Sequence, residues 1–217
     1  MNNFDIRSQF RELLVNKQFT TDKNGGRTLE ILGASFKVNA NTLFGEVNKE
    51  YVDAELAWYR SRSTNIYDIW DKAPPTAWLM TANKHGEINS NYGHLIYSEL
   101  YHEQYEQALS ELECNDDTRR ATMVYTRPSI WTEFKDAAGK NDFICTNAVT
   151  YYKRNGHLDA VVQMRSNDAV YGFKNDLAWQ THVINELLFD LNDGTTGGDI
   201  YWQVQNLHVY ENHFHLI

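Results

Sequence analysis

Arg154-Asn155-Gly156 separates two runs rich in β-branched and aromatic residues, 143–153 and 157–164. Asn-Gly between such runs is a strong hairpin signal, because both residues tolerate the positive φ that a tight two-residue turn demands. An antiparallel pair is therefore expected in the second half of the chain, and other elements must be arranged around it. Residues 28–32 and 121–126 read as further strands, and 200–217 alternates as one or two more. Helical spacing appears over 6–15 (Ile6, Phe10, Leu13, Leu14), over 49–61 (Val52, Leu56, Tyr59, with Glu55 at the edge), and over 98–112. A further helix is expected over 176–191, stopped by Asn192-Asp193-Gly194. Asp22 to Arg27 reads as a turn, Pro74-Pro75 breaks the pattern, and 78–97 reads as loop mixed with short helix.

These elements suit one mixed α/β domain of the α+β type spanning 1–217, long enough to bury a substantial core. Aromatic residues number 29 and the hydrophobic fraction is 42%, which argues for a packed globule rather than a disordered chain. The net charge of −9 argues against nucleic acid polymers as partners, since that affinity rests on clustered Lys and Arg. A single nucleotide is compatible with it, because a few convergent arginines can hold one phosphate. No basic-then-apolar leader opens the sequence and no stretch approaches 18 apolar residues, so a soluble, cytoplasmic protein without a membrane partner is expected. Cys114 and Cys145 form neither a disulfide framework nor a metal cluster, and no metal is expected.

Each candidate site residue has an ordinary reading as well. Cys145 reads as a small core residue, except that Asp142 and Thr146-Asn147 mark the polar end of a strand. A reactive thiol needs positive charge nearby, which Arg165 can supply. Arg119-Arg120 is either a solvated pair at a strand start or a planar clamp for phosphate. Glu55 alone reads as a helix-surface acid, and His208 alone as a structural histidine. Asp176, where an apolar-periodic helix begins, reads as an N-cap, a role Asn175 fills equally well. The glycines at 194–198 are not followed by Gly-Lys-Ser/Thr, so they are no P-loop.

Together the residues 28–33 (Thr-Leu-Glu-Ile-Leu-Gly), Asp117-Thr118-Arg119-Arg120, Cys145, Arg165-Ser166-Asn167-Asp168, Gly172 and His208-Val209-Tyr210 resemble the thymidylate synthase family. The likeness runs from about Thr21 to Phe214 and is nearer to the phage-type branch that acts on deoxycytidylate (dCMP). It implies a large mixed sheet with helices on one face, the other face packed against a second subunit in a homodimer. It implies Cys145 as the nucleophile that adds to C6 of a pyrimidine, with Glu55 organising water and proton transfers and Asp176 beside them reading the base. Arg165, Ser166, Asn167 and Asp168 would line the nucleotide, with Lys23 where the family often has arginine. Arg119 and Arg120 would reach the phosphate from the partner subunit, and His208 and Tyr210 would bind the sugar. Trp78, Tyr92, Asp168 and Gly172 would face 5,10-methylenetetrahydrofolate, the implied co-substrate.

The departures from the family pattern are informative. Uracil-using members carry Asn at the place of Asp176; a carboxyl accepts from the cytosine amine and, when protonated, donates to N3. A mismatched buried partner costs roughly 1–3 kcal/mol. Thr146-Asn147 stands where thymidylate synthases have His after the nucleophile, which favours a hydroxymethyl over a methyl product. Family members commonly extend past the position of Ile217 into a tail that closes over the folate. The competing expectations are a dCMP methyltransferase, a dUMP-using thymidylate synthase, and a catalytically silent nucleotide sensor.

Overall fold

The computed structural model describes residues 1–22, 25–134 and 140–217. In chain order its elements are α1 (Asn3–Val15), β1 (Thr20–Thr21), β2 (Arg27–Lys37), α2 (Lys49–Ser61), α3 (Thr76–Thr81) and α4 (Tyr92–Tyr97). Then follow α5 (Gln104–Cys114), β3 (Thr122–Val124), α6 (Ile130–Glu133), β4 (Thr146–Arg154), β5 (His157–Asp168), α7 (Gly172–Leu191) and β6 (Thr196–Tyr210). Six strands form one sheet in the order β1-β2-β6-β5-β4-β3. β5 and β6 run parallel and every other neighbouring pair is antiparallel.

The expected hairpin is present. Asn155 (φ 51) and Gly156 (φ 77) join β4 to β5, both in the left-handed region that their side chains permit. The turn sets the register from Arg154–His157 to Ala148–Gln163, and a bulge between Thr146 and Ala148 then shifts it so that Thr146 pairs with Met164. The parallel β5–β6 pairing needs a crossover, which α7 supplies by crossing the sheet against both strands. Trp202, Val204, Val162, Met164, Val149, Tyr151 and Phe36 point to the helical side and are buried. Phe173 of α7 packs on Trp202 with ring centres 5.3 Å apart and on Phe36 at 5.8 Å. On the opposite face Gln163, Tyr201, Gln203 and Leu32 are exposed. That alternation is what a sheet covered on one side requires.

Several boundaries differ from expectation. β5 runs on through Arg165 to Asp168, and Cys145 lies just before β4 rather than inside it. α5 starts at Gln104, since Glu99–Tyr101 forms a separate 3-10 turn. β6 begins at Thr196, ahead of the expected start at 200, and Glu211–Leu216 forms a 3-10 helix where further strand was expected. α7 begins four residues before Asp176, so Asp176 does not cap the helix. Asp168 instead braces the turn that leads into the helix, its carboxylate accepting the Val170 N–H at 3.0 Å and the Tyr171 N–H at 3.1 Å. Both cysteines are free thiols. Among the described residues no helix is long and apolar enough to cross a membrane.

Candidate active site

The β4–β5 register places Cys145 directly opposite Arg165, whose backbone N–H donates to the Cys145 carbonyl at 2.9 Å. The Arg165 side chain folds back over the same turn. Its Nε donates to Ile144 O at 3.0 Å, its Nη2 to Phe143 O, and Nη2 lies 3.4 Å from Cys145 Sγ. The guanidinium carbon sits 4.9 Å above the Phe143 ring. Burial pushes the Cys145 thiol above its ordinary value; Arg165 opposes this, while the carboxyls of Asp176 and Asp142 reinforce it. Desolvation outweighs the guanidinium, which is shared with two carbonyls, so the proton is held more tightly than on a free thiol.

Glu55 departs from its reading as a surface acid. It is only 5% exposed and lies on the buried face of α2 with Val52, Trp58 and Tyr59. One turn earlier Tyr51 donates its hydroxyl proton to Glu55 Oε1 at 2.5 Å. Trp78 Nε1, 3.0 Å from the Tyr51 oxygen, can only donate, so the phenol proton is directed at the carboxylate. Desolvation raises the Glu55 pKa to about 7, against the pull of the donor from Tyr51. Trp78 is half-buried and packs edge-on against Trp58 at 5.4 Å.

Asp176 lies in the second turn of α7, half-buried, and its Oδ2 accepts from Asn167 Nδ2 at 2.7 Å. Burial first, then the Glu55 charge, raise its pKa to about 8; donors on Asn167 and Tyr92 hold it from going higher. Two carboxyls and a thiol thus share one desolvated cluster, floored by Tyr59 and Tyr92, which stack at 5.3 Å. Thr146 Oγ1 donates to the Tyr92 hydroxyl at 3.0 Å.

The parallel register sets His208 beside Asp168 and Asn206 beside Ser166. His208 is 9% exposed, and its ring meets that of half-exposed Tyr210 edge-on at 4.9 Å. Asn167 is 4% exposed, and both ends of its amide are engaged. Gly172 approaches it closely: a Cβ there would lie 2.9 Å from Asn167 Nδ2.

Arg119 and Arg120 are not brought to the cluster by their own chain. They precede β3, whose Thr122 pairs with Thr150, and the Tyr151 N–H donates to Ala121 O. That puts them near the hairpin end of β4, about 20 Å from Cys145 at roughly 3.3 Å per strand residue. Both are exposed; Arg120 pairs with Glu111 at 3.1 Å. Lys23 lies outside the described residues.

The thymidylate synthase family model matches residues 7–217. The chain belongs to the thymidylate synthase family. Among its relatives, the deoxycytidylate 5-hydroxymethyltransferases of Enterobacteria phages T4 and T6 are each 46% identical over 219 aligned positions, covering 98% of this chain and 88% of theirs. The thymidylate synthase of Fusobacterium nucleatum is 25% identical over 162 positions, 74% of this chain and 56% of that one. The crystal structure of thymidylate synthase from phage T4 superposes with a TM-score of 0.75 at 21% identity, covering 97% of this chain and 77% of the other.

Two residues of the cluster escape a reading of the sequence. Tyr51 precedes Glu55 by four residues, and that spacing on one helix face is the signal that could have found it. Trp202 leaves no local signal: it reaches Asn167 only because β5 and β6 are neighbours, 35 residues apart in sequence. Among the described residues no group of three or more His, Cys, Asp or Glu is placed to hold a metal ion.

Proposed function

We propose that this protein transfers a one-carbon unit from 5,10-methylenetetrahydrofolate to C5 of dCMP and completes the reaction with water, giving 5-hydroxymethyl-dCMP. The 46% identity to the named phage hydroxymethyltransferases supports this. The observation that carries the reading is the Asp176 carboxyl, raised to a pKa of about 8 beside the Cys145 thiol. At neutral pH such a group is mostly a neutral acid: its hydroxyl donates to cytosine N3 while its carbonyl oxygen accepts from the cytosine amine. An amide set for uracil, with its oxygen facing N3–H and its nitrogen facing O4, presents the reverse pattern, and that mispairing with cytosine costs roughly 1–3 kcal/mol.

The chemistry follows from the cluster. Cys145 loses its proton and its sulfur bonds to C6, which makes C5 a carbon nucleophile. The folate supplies the one-carbon unit at the oxidation level of formaldehyde. After C5 has bonded to that carbon and lost its proton, the carbon–nitrogen bond to the folate breaks, tetrahydrofolate departs and an exocyclic methylene remains on the pyrimidine; water adds there and the Cys145 sulfur departs from C6. Glu55, with a pKa of about 7, is suited to give and take protons near neutrality and to hold that water. Trp78 offers a half-buried indole and Asp168 a half-buried carboxylate beside Gly172, a set that suits a flat amide-bearing ring. Tyr92 would flank the same space.

Arg165 and Ser166 would hold the phosphate with Lys23, and His208 with Tyr210 the sugar. The partner subunit's Arg119 and the partner subunit's Arg120 would complete the phosphate site. The distance of these arginines from Cys145 in their own chain supports that, as does the open sheet face with Leu32 and Tyr201. On this reading the 217 residues act as one catalytic domain in a homodimer with shared sites. Incubation with dCMP or dUMP plus methylenetetrahydrofolate, followed by mass analysis, tests the reading. The expected product is hydroxymethyl-dCMP; a methylated base, or faster turnover of dUMP, refutes it, as does dCMP binding without loss of hydrogen from C5.

A further inference from the structure

The amide of Asn167 can face either way in principle, but Trp202 removes the choice. An indole N–H only donates, and Trp202 Nε1 lies 3.2 Å from Asn167 Oδ1 in a fully buried setting. The oxygen of the amide must face Trp202, so its nitrogen faces Asp176, where Nδ2 donates to Oδ2 at 2.7 Å. Packing holds the arrangement, since the missing Cβ of Gly172 leaves just enough room for Nδ2. The consequence falls on the proton of Asp176. An oxygen that accepts a hydrogen bond from Asn167 is the carbonyl oxygen of the neutral acid, so the acid proton sits on Oδ1.

We infer that Trp202 and Asn167 are positioning residues for base selection: acting through Asp176, they fix which carboxyl oxygen carries the proton and so match cytosine against uracil. This rests on the assignment of dCMP as substrate. Cytosine needs a donor facing N3 and an acceptor facing its amine. Uracil presents the reverse pattern, N3–H and a carbonyl at C4. To satisfy uracil the proton would have to move to Oδ2, where it would meet the Asn167 N–H, two donors face to face. The pair therefore acts against uracil as well as for cytosine, which is how discrimination beyond simple affinity arises.

The groups facing Asp176 from the neighbouring elements are Glu55, Asp168, Cys145 and the phenols of Tyr51, Tyr59, Tyr92 and Tyr125. Tyr92 also donates toward Asp176, but only the Asn167 amide is oriented by Trp202. Asn167→Leu keeps the approximate volume and removes both hydrogen bonds, while Trp202→Phe leaves Asn167 in place but free to turn over.

The test measures kcat and KM for dCMP and dUMP, and the pH dependence of dCMP binding, for the parent and both variants. In Asn167→Leu the dCMP:dUMP ratio of kcat/KM is expected to fall by about tenfold, the equivalent of one ~1.4 kcal/mol interaction. Its alkaline limb of dCMP binding moves to higher pH, because the lost donor favoured the carboxylate. Trp202→Phe shifts the ratio the same way by a smaller factor, with dUMP gaining relative to dCMP. A folded variant that loses activity on both nucleotides equally, with ratio and pH limb unchanged, overturns the inference; if Asn167→Leu does not fold, the ratio in Trp202→Phe decides alone. A parent enzyme that prefers dUMP would instead overturn the substrate assignment, so the two failures are distinguishable.

Discussion

Asp176→Asn is the perturbation that most directly tests the desolvated cluster, through stability before any turnover is measured. An acid whose folded pKa lies above its unfolded value binds its proton more tightly in the folded state. Its contribution is most favourable at low pH and is lost as pH rises from the unfolded pKa through the folded one. For Asp176 that window runs from 3.8 to about 8. Each pH unit inside it costs about 1.4 kcal/mol, so up to about 4 kcal/mol disappears between pH 5 and pH 8. This is an upper bound, because Glu55 titrates in an overlapping window up to about 7 and part of Asp176 faces water. A working expectation is about 2 kcal/mol. Asn cannot ionise, so the stability of Asp176→Asn should fall less steeply, leaving it relatively more stable at pH 8 than at pH 5. Urea unfolding of parent and variant at half-unit steps from pH 5 to 8.5 measures the difference. Parallel curves would mean that Asp176 is an ordinary solvated carboxylate, and the proposed reading of the base would go with it.

Other expectations are more local. Cys145→Ser should abolish turnover while leaving dCMP binding within a few-fold, measured by calorimetry; turnover at the parental rate would remove the covalent step. Tyr51→Phe deletes the donor that holds the Glu55 pKa down, so the pKa of the Glu55-dependent limb of kcat should rise by about one unit, given ~1.5–3 kcal/mol for a hydrogen bond to a charged group. An unmoved limb would show that Tyr51 only fills space. Neither Arg119→Ala nor Cys145→Ser should be active alone, yet mixed and reassorted they should regain up to about a quarter of parental activity, one intact site in a statistically mixed dimer population; no recovery would argue against arginines reaching across an interface.

Much of this architecture was legible in residue order because it depends on neighbours in sequence. The Asn155-Gly156 turn is set by two residues that tolerate positive φ, and α2 runs over the span its apolar spacing marked, with Asn48 accepting from the Tyr51 N–H as its cap. The resemblance to a family implied Cys145 and Arg165 in one site, and strand pairing sets the two opposite each other. The character of the acids was not legible. Asp176 looked like a helix cap because the apolar repeat of α7 becomes visible only after it, whereas Gly172-Phe173-Lys174 already belongs to the helix. Glu55 looked like a surface acid because a carboxylate on an amphipathic helix ordinarily is one.

Local dihedral preference and side-chain periodicity are carried by residues within a turn or two, so the sequence by itself determined the strands, the hairpin and most helices. Desolvation is a sum over atoms brought together from α2, α4, β4, β5 and α7, and a hydrogen-bond chain such as Trp202–Asn167–Asp176 crosses two strands and a helix. Only the tertiary structure decided which carboxyls would be buried, which amide would face them, and that Arg119 and Arg120 would end up far from the sulfur of their own chain.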